Sequence, residues 1–497
     1  MKIPILAGSR VAVVNASDEA VVLRPPPPAE AAVAVGAAVR DAVRFPLAGE
    51  PLEALVTPGG RGTIVVEHPS LPIPSAAQDP RQAALAAAAD ELDRLGVRYE
   101  RQTLVVAGGL ERRAGRRELE RLVHPEFARR FRGRVVVHDA EDPNLRDLGS
   151  VDGIPLRVNE ALLEADVVVT VTAAETVLHG GPASLLAAGG SEALRRAGGR
   201  SLLEAPAASG WNIAVALERV LATRVRVFGI SLVLDHPRLT GALKDFPHDL
   251  SAVTRLGNSR GGRLLRALPD PVRRRVLHSL PLELKATAVY SGPPSVAHAE
   301  ALLRAIDARS TPLVGKLDAL CVGIPPTTAH LPRERPNPLL VAYHALGLVL
   351  RLWRDEFPIA DGGTAILVHH LHRGFSHGQH PYRTFFRAIR DHISPERLAE
   401  AEIAVADDRR AIDSYRSGRS CHPLLPFADW EACEPALDRL GAVIVAGCRD
   451  ATAARRLGFV PTHGIPAALE MATGRAGRPP RIGFILGPPY FPLQVSA

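Results

Sequence analysis

Polar residues collect just past several short apolar runs of this 497-residue chain. Gly108-Gly109 and Glu111 follow Leu104 to Ala107, His138-Asp139 follow Val135 to Val137, and His179 stands in Leu178-His179-Gly180-Gly181 after Val167 to Val171. Runs this short and rich in β-branched residues read as buried parallel strands. Open α/β sheets bind their ligands just past strand ends, and the glycines would let the backbone come close to one. Each group also has a structural reading. Glu111 lies in the arginine-rich stretch ERRAGRR and would serve equally as a solvated carboxylate, while His138, Asp139 and Asn159 would serve as loop caps.

A second constellation is HHLHRGFSHGQH, with His369, His370, His372, His377 and His380. On a strand His370 and His372 face one side, so these two and His377 from the following loop form a candidate divalent-metal site. Zinc and nickel both accept imidazoles. The cluster holds no carboxylate or cysteine, so an incidental grouping stays open.

These residues need a scaffold, and the patterning supplies one. Arg10 to Asn15, Thr63 to Val66 and residues 103–107 read as strands, Ala29 to Val43 and Pro80 to Leu95 as helices, the latter with Ala84, Ala88, Leu92 and Leu95 at helical spacing. Asn258 to Ser291 breaks the rhythm with prolines and Arg273-Arg274-Arg275. A second α/β pattern follows: helix Ser295 to Ile306, strand Leu317 to Val322, helix Pro338 to Trp353, strand Gly363 to His370, a long helix Ser394 to Asp413 capped by Ser394, and strands Ala442 to Ala446 and Arg481 to Leu486. The expected fold is two α/β domains with mostly parallel sheets, residues 1–290 and 291–497, and a cleft between them.

Composition narrows the function. The net charge of +7 comes from arginines spread along the chain, and with 4% aromatic residues there is no basic, aromatic-interleaved block, which argues against nucleic acid. The four cysteines form no CxxC pair, the start of the chain lacks a secretory pattern, and no run of about 20 apolar residues offers a membrane span. A cytoplasmic protein acting on a small molecule is the expectation.

The chain resembles the lactate racemase family, the LarA-like nickel-pincer nucleotide enzymes. The likeness is carried by Pro58-Gly59 with Ile64 to Val66, Leu104 to Gly109, the stretch from Arg134 to Gly181, Asp361 to Leu367, and Asp429-Trp430. It implies cofactor contacts at His68, Ser70, Gly108, Gly109, His138 and Asp139. It also implies Glu111 in place of one catalytic His, as a substitute general base, and His344 where the family uses a lysine to hold substrate. His179 is the imidazole nearest the second catalytic position, which is Val177.

The departures are large. His68, Ser70 and Leu71 occupy the family's Asp-x-Thr-Arg loop, so the arginine that would hold a substrate carboxylate is missing. The tethering lysine falls near Ala187, yet the chain's four lysines are Lys2, Lys244, Lys285 and Lys316, and no His lies between His179 and His236 to bind nickel. The expected protein is a divergent racemase or epimerase of a small 2-hydroxyacid or polyol that lacks the covalent tether. The alternative is a silent binding or regulatory paralogue.

Overall fold

A computed structural model describes all residues except 18, 30, 73–75, 77, 327–333, 390–394 and 497. The chain forms two α/β lobes, each built on a six-stranded sheet. In the first sheet Val167–Ala173 and Gln102–Ala107 flank the central strand Gly62–Glu67. Arg134–Val137 lies beyond Gln102–Ala107, and on the other side Arg226–Leu234 is followed by the antiparallel edge strand Ala286–Gly292. The other pairings are parallel, and every residue of Val167–Ala173 is buried. Arg134–Val137, expected to be buried, is an edge strand with Val135 exposed.

Helices cover both faces of this sheet. Pro80–Arg94 starts on an Asp79 cap, whose side chain accepts from the Arg81 N–H at 3.0 Å, with Pro80 in the first turn. It buries Ala84, Ala88 and Leu92 against Ile64, Leu104 and Val169. Pro182–Ala187 and Ser209–Ala222 pack on the opposite face over Val65, Val105 and Val168.

The second sheet is all parallel, in the order Val460–Thr462, Ala442–Ala446, Ile359–Val368, Leu317–Gly323, Ile482–Ile485 and Val21–Leu23. Elements pack across residue 290 in both directions. Val21–Leu23 joins the second sheet, whereas Pro294–Arg309 packs on the first sheet's Arg226–Leu234 and Ala286–Gly292 strands. The stretch 258–291, expected to be irregular, is largely helical through Arg260–Ala267 and Asp270–His278 before the chain enters its edge strand.

Two expected helices are interrupted. Pro338–Ala342 continues as a π-helical turn, Tyr343–Leu348, and a 3₁₀ turn, Val349–Arg351. The 394–413 helix is two helices, Pro395–Ala406 and Arg409–Arg416. Asp408 caps the second, and Ser394 lies outside the described residues. Among the described residues no helix is long and apolar enough to cross a membrane.

Candidate active site

The first sheet has one reversal of strand order. From the central Gly62–Glu67 the chain steps outward through Gln102–Ala107 and Arg134–Val137, then returns to the other side at Val167–Ala173. The crevice past the carboxyl ends of strands at such a point is where doubly wound sheets bind ligands. Glu67 and His68 end the central strand, Gly108, Gly109 and Glu111 follow its neighbour, and His179 follows Val167–Ala173. All six line one cleft of about 870 Å³, whose far wall carries Tyr343, Arg351 and Asp429 of the second lobe.

The His179 turn is shaped by a residue that sequence reasoning passed over. Gly180 and Gly181 hold φ values of +88° and +53°, and a Cβ on either would meet the His298 ring or its Cβ within 2.4 Å. His298, buried on Pro294–Arg309, hydrogen-bonds the Thr176 carbonyl through Nε2 at 2.9 Å. Thr176 Oγ1 in turn lies 3.1 Å from His179 Nδ1, and Thr172 Oγ1 accepts from the Gly181 N–H at 2.9 Å. The imidazole at the cleft is therefore oriented through its Nδ1. Burial holds His298 neutral, its pKa lowered to about 4.

Glu67 was also missed, although it follows Ile64 to Val66 just as Glu111 follows its strand. Burial first, and then the nearby Glu175 carboxylate, raise its pKa to about 8, opposed by a backbone hydrogen bond from Gly180. Glu175 itself accepts from the Ser70 N–H and hydroxyl at 2.9 and 2.7 Å and pairs with Arg81 at 3.2 Å. Of the two adjacent carboxyls, one is satisfied by donors and the other keeps its proton. Burial therefore favours the protonated form of Glu67. His68 beside it is held below its usual pKa by burial, and its Nδ1 has no hydrogen-bond partner among the described residues.

The remaining expected site residues lie elsewhere. Ser70 is committed to Glu175 and is not part of the cleft wall. His138 is buried behind it: Nε2 donates to the Gly189 carbonyl at 2.8 Å, and Nδ1 lies 3.3 Å from the Asn159 amide, which fixes the end of the Pro182–Ala187 helix. Asp139 accepts from Arg416 at 3.1 Å and joins the lobes. His344 is fully buried against Tyr490 and lies off the cleft wall, where the preceding residue Tyr343 stands instead. The chain is π-helical there, over Tyr343–Leu348.

The histidine cluster is not a strand-borne site. Ile359–Val368 ends before it, so His370 and His372 do not share a strand face. His370 Nδ1 meets the Gly447 carbonyl at 3.1 Å, and His372 and His377 are exposed. Among the described residues no three His, Cys, Asp or Glu side chains converge as a metal site.

The fold occurs in known proteins. Residues 8–181 match the lactate racemase N-terminal domain family. The whole chain superposes on the lactate racemase apoprotein from Thermoanaerobacterium thermosaccharolyticum, with a TM-score of 0.62, 15% identity and 100% of both chains covered. A protein from Thermotoga maritima is similar at a TM-score of 0.52 and 12% identity, covering 93% of this chain and 98% of that one. No curated protein matches. At these identities the superpositions establish the two-lobed α/β fold of this chain.

Proposed function

We propose that this protein is an isomerase of the racemase or epimerase type, acting on a small hydroxyacid or related polyol, and that for a hydroxyacid the step is proton transfer at the carbon beside the carboxylate between side chains of the interlobe cleft. The carrying observation is the cleft itself, where Glu111, His179 and the protonated Glu67 line the first-lobe wall. Moving a proton at carbon needs a base to remove it and an acid to return it, and positioned groups of this kind each contribute about 10²–10⁴ in rate. Val177, at the family's second catalytic position, is buried in the core, but His179 two residues on lines the cleft, which favours an active enzyme over a silent paralogue.

The residues present do not fit a lysine-tethered pincer cofactor. Ala187 lines the cleft where the tether would stand. Lys285 and Lys316 pair with Glu283 and Glu356 at 3.3 and 2.9 Å, and no lysine lines the cleft. The direct test is to incubate the protein with hydroxyacids and polyols in D₂O and follow loss of the carbon-bound proton by NMR. Exchange abolished by Glu111→Gln and His179→Phe supports the reading. Absence of exchange across the panel, or exchange unchanged in both variants, refutes it.

A further inference from the structure

We propose that Arg351 is the anion seat of the cleft and takes the carboxylate of a small 2-hydroxyacid. This rests on the reading of the cleft as a hydroxyacid site and names the group that would grip the substrate there.

Arg351 ends the 3₁₀ turn Val349–Arg351, is 3% exposed, and lines the cleft. Its terminal nitrogens donate to two backbone carbonyls, Gly347 at 3.2 Å and Gly199. Its Nε has no partner, and among the described residues no carboxylate comes within ion-pairing distance. A guanidinium has five N–H donors, so the carbonyl bonds leave several unspent. A buried charge without a counter-charge is unfavourable, and here burial lowers the Arg351 pKa. An anion in the cleft would relieve that cost.

The neighbouring charges leave the seat to a ligand. Glu431, the carboxylate whose charge reaches Arg351, is engaged by Arg195, and Asp429 accepts from the Tyr382 hydroxyl at 2.5 Å. Arg195 also pairs with Glu402 and Arg439 with Asp361, so these two cleft cations are already matched, and Arg200, which also lines the cleft, is exposed to solvent where an ion pair is screened. Leu350, Trp353 and Phe357 wall the cleft nearby and would strengthen the attraction by excluding water.

The chemistry asks for such a group. Removing the proton beside a carboxylate delocalises a second negative charge onto that carboxylate, and a fixed cation stabilises the state in which this happens. The first-lobe loop after the central strand carries His68, Ser70 and Leu71, none of them an arginine. Arg351 supplies the cation from the opposite lobe.

The test measures binding of glycolate, lactate and glycerate, of their neutral amides, and of inorganic phosphate by titration calorimetry. Wild type should bind at least one carboxylate at least tenfold more tightly than its amide. Arg351→Gln should lose that preference, and Arg351→Lys should keep part of it. Circular dichroism and thermal melting check that each variant is folded; if Arg351→Gln is not, the salt dependence of wild type and the Arg351→Lys affinity carry the test. Equal binding of acid and amide, no binding of any carboxylate, tight binding of phosphate alone, or a folded Arg351→Gln with wild-type affinity would each overturn the assignment. Carboxylate binding through Arg351 without proton exchange in D₂O would sink the isomerase reading and leave the seat standing. Exchange of a hydroxyacid that depends on Glu111 and is unchanged in a folded Arg351→Gln would do the reverse.

Discussion

The Tyr415 hydroxyl, on the second lobe, donates to the Gly109 carbonyl of the first at 2.9 Å and accepts from the Ala140 N–H at 3.0 Å. Gly109 lies two residues before Glu111, so the candidate base hangs on a loop clamped by the opposite lobe. The His422 backbone N–H donates to the Leu110 carbonyl at 2.9 Å, its Nε2 lies 3.0 Å from Glu141, and Arg416 reaches Asp139 at 3.1 Å. The cleft geometry and the contact between lobes are one structural problem.

Tyr415→Phe should separate the two. The ring stays, but the Gly109 carbonyl and Ala140 N–H lose their partner, at a cost of about 1–3 kcal/mol for buried groups left unsatisfied. Urea unfolding should show that loss, together with reduced proton exchange on substrate. Wild-type stability and exchange in this variant would mean that the hydroxyl clamps nothing.

Glu67 makes stability fall as pH rises. Its folded pKa of about 8 lies above the ordinary value of 4.5, so between these limits the native state holds a proton that the unfolded chain has released. The contribution is complete below pH 4.5 and is lost as pH rises through 8, at ~1.4 kcal/mol for each pH unit between the two values. Glu67→Gln should remove this slope while preserving a neutral donor. Denaturant midpoints of both proteins at pH 5, 7 and 8.5 decide the matter; parallel curves would assign the proton elsewhere.

Much of the frame was legible because its signals are local. Ala442–Ala446 and Arg10–Asn15 announce themselves as apolar β-branched runs, and Pro80–Arg94 by its alanine spacing and its proline start. Glu111 and His179 were legible as polar groups past strand ends and Gly108-Gly109 as a close-approach turn, whereas His68 was reached only through the family resemblance. The rest depended on pairings that no local pattern encodes. Val21–Leu23 crosses to the second sheet, His298 reaches back to Thr176, and Arg351 sits where the regular helix gives way after Ala342. His138 and Asp139 satisfied the strand-end rule, but the structure uses them to hold Gly189 and Arg416, since a buried carbonyl or guanidinium needs a partner as much as a ligand does.

Buried imidazoles act oppositely to Glu67. Burial lowers His138 and His298 to about 4 and His369 to about 3, from 6.5. The unfolded chain therefore takes up protons that the native state refuses as pH falls below 6.5. Their stabilising contribution is full above that value and is lost as pH falls through 4 and then 3. Replacing His138 with Gln, which keeps a donor for the Gly189 carbonyl, should flatten the acid limb of a stability profile between pH 6.5 and 4. An unchanged limb would show that His138 does not stay neutral in the fold.

Coexpressed with the enzymes that make the nickel-pincer nucleotide, this chain should retain its unmodified intact mass and fail to interconvert the lactate enantiomers in a nickel-dependent way. A tether needs an amine at the cleft, and the resemblance puts it near Ala187, which lines the cleft and whose carbonyl accepts from the Gly109 N–H at 3.1 Å. Loss of one positioned base costs about 10²–10⁴ in rate, and loss of a hydride acceptor removes the step altogether. Proton transfer by Glu111, His179 and Glu67 would survive both losses, because it uses only groups the cleft contains. A covalent adduct in the mass spectrum, or lactate racemisation abolished by stripping nickel, would show that this scaffold loads the cofactor without its lysine.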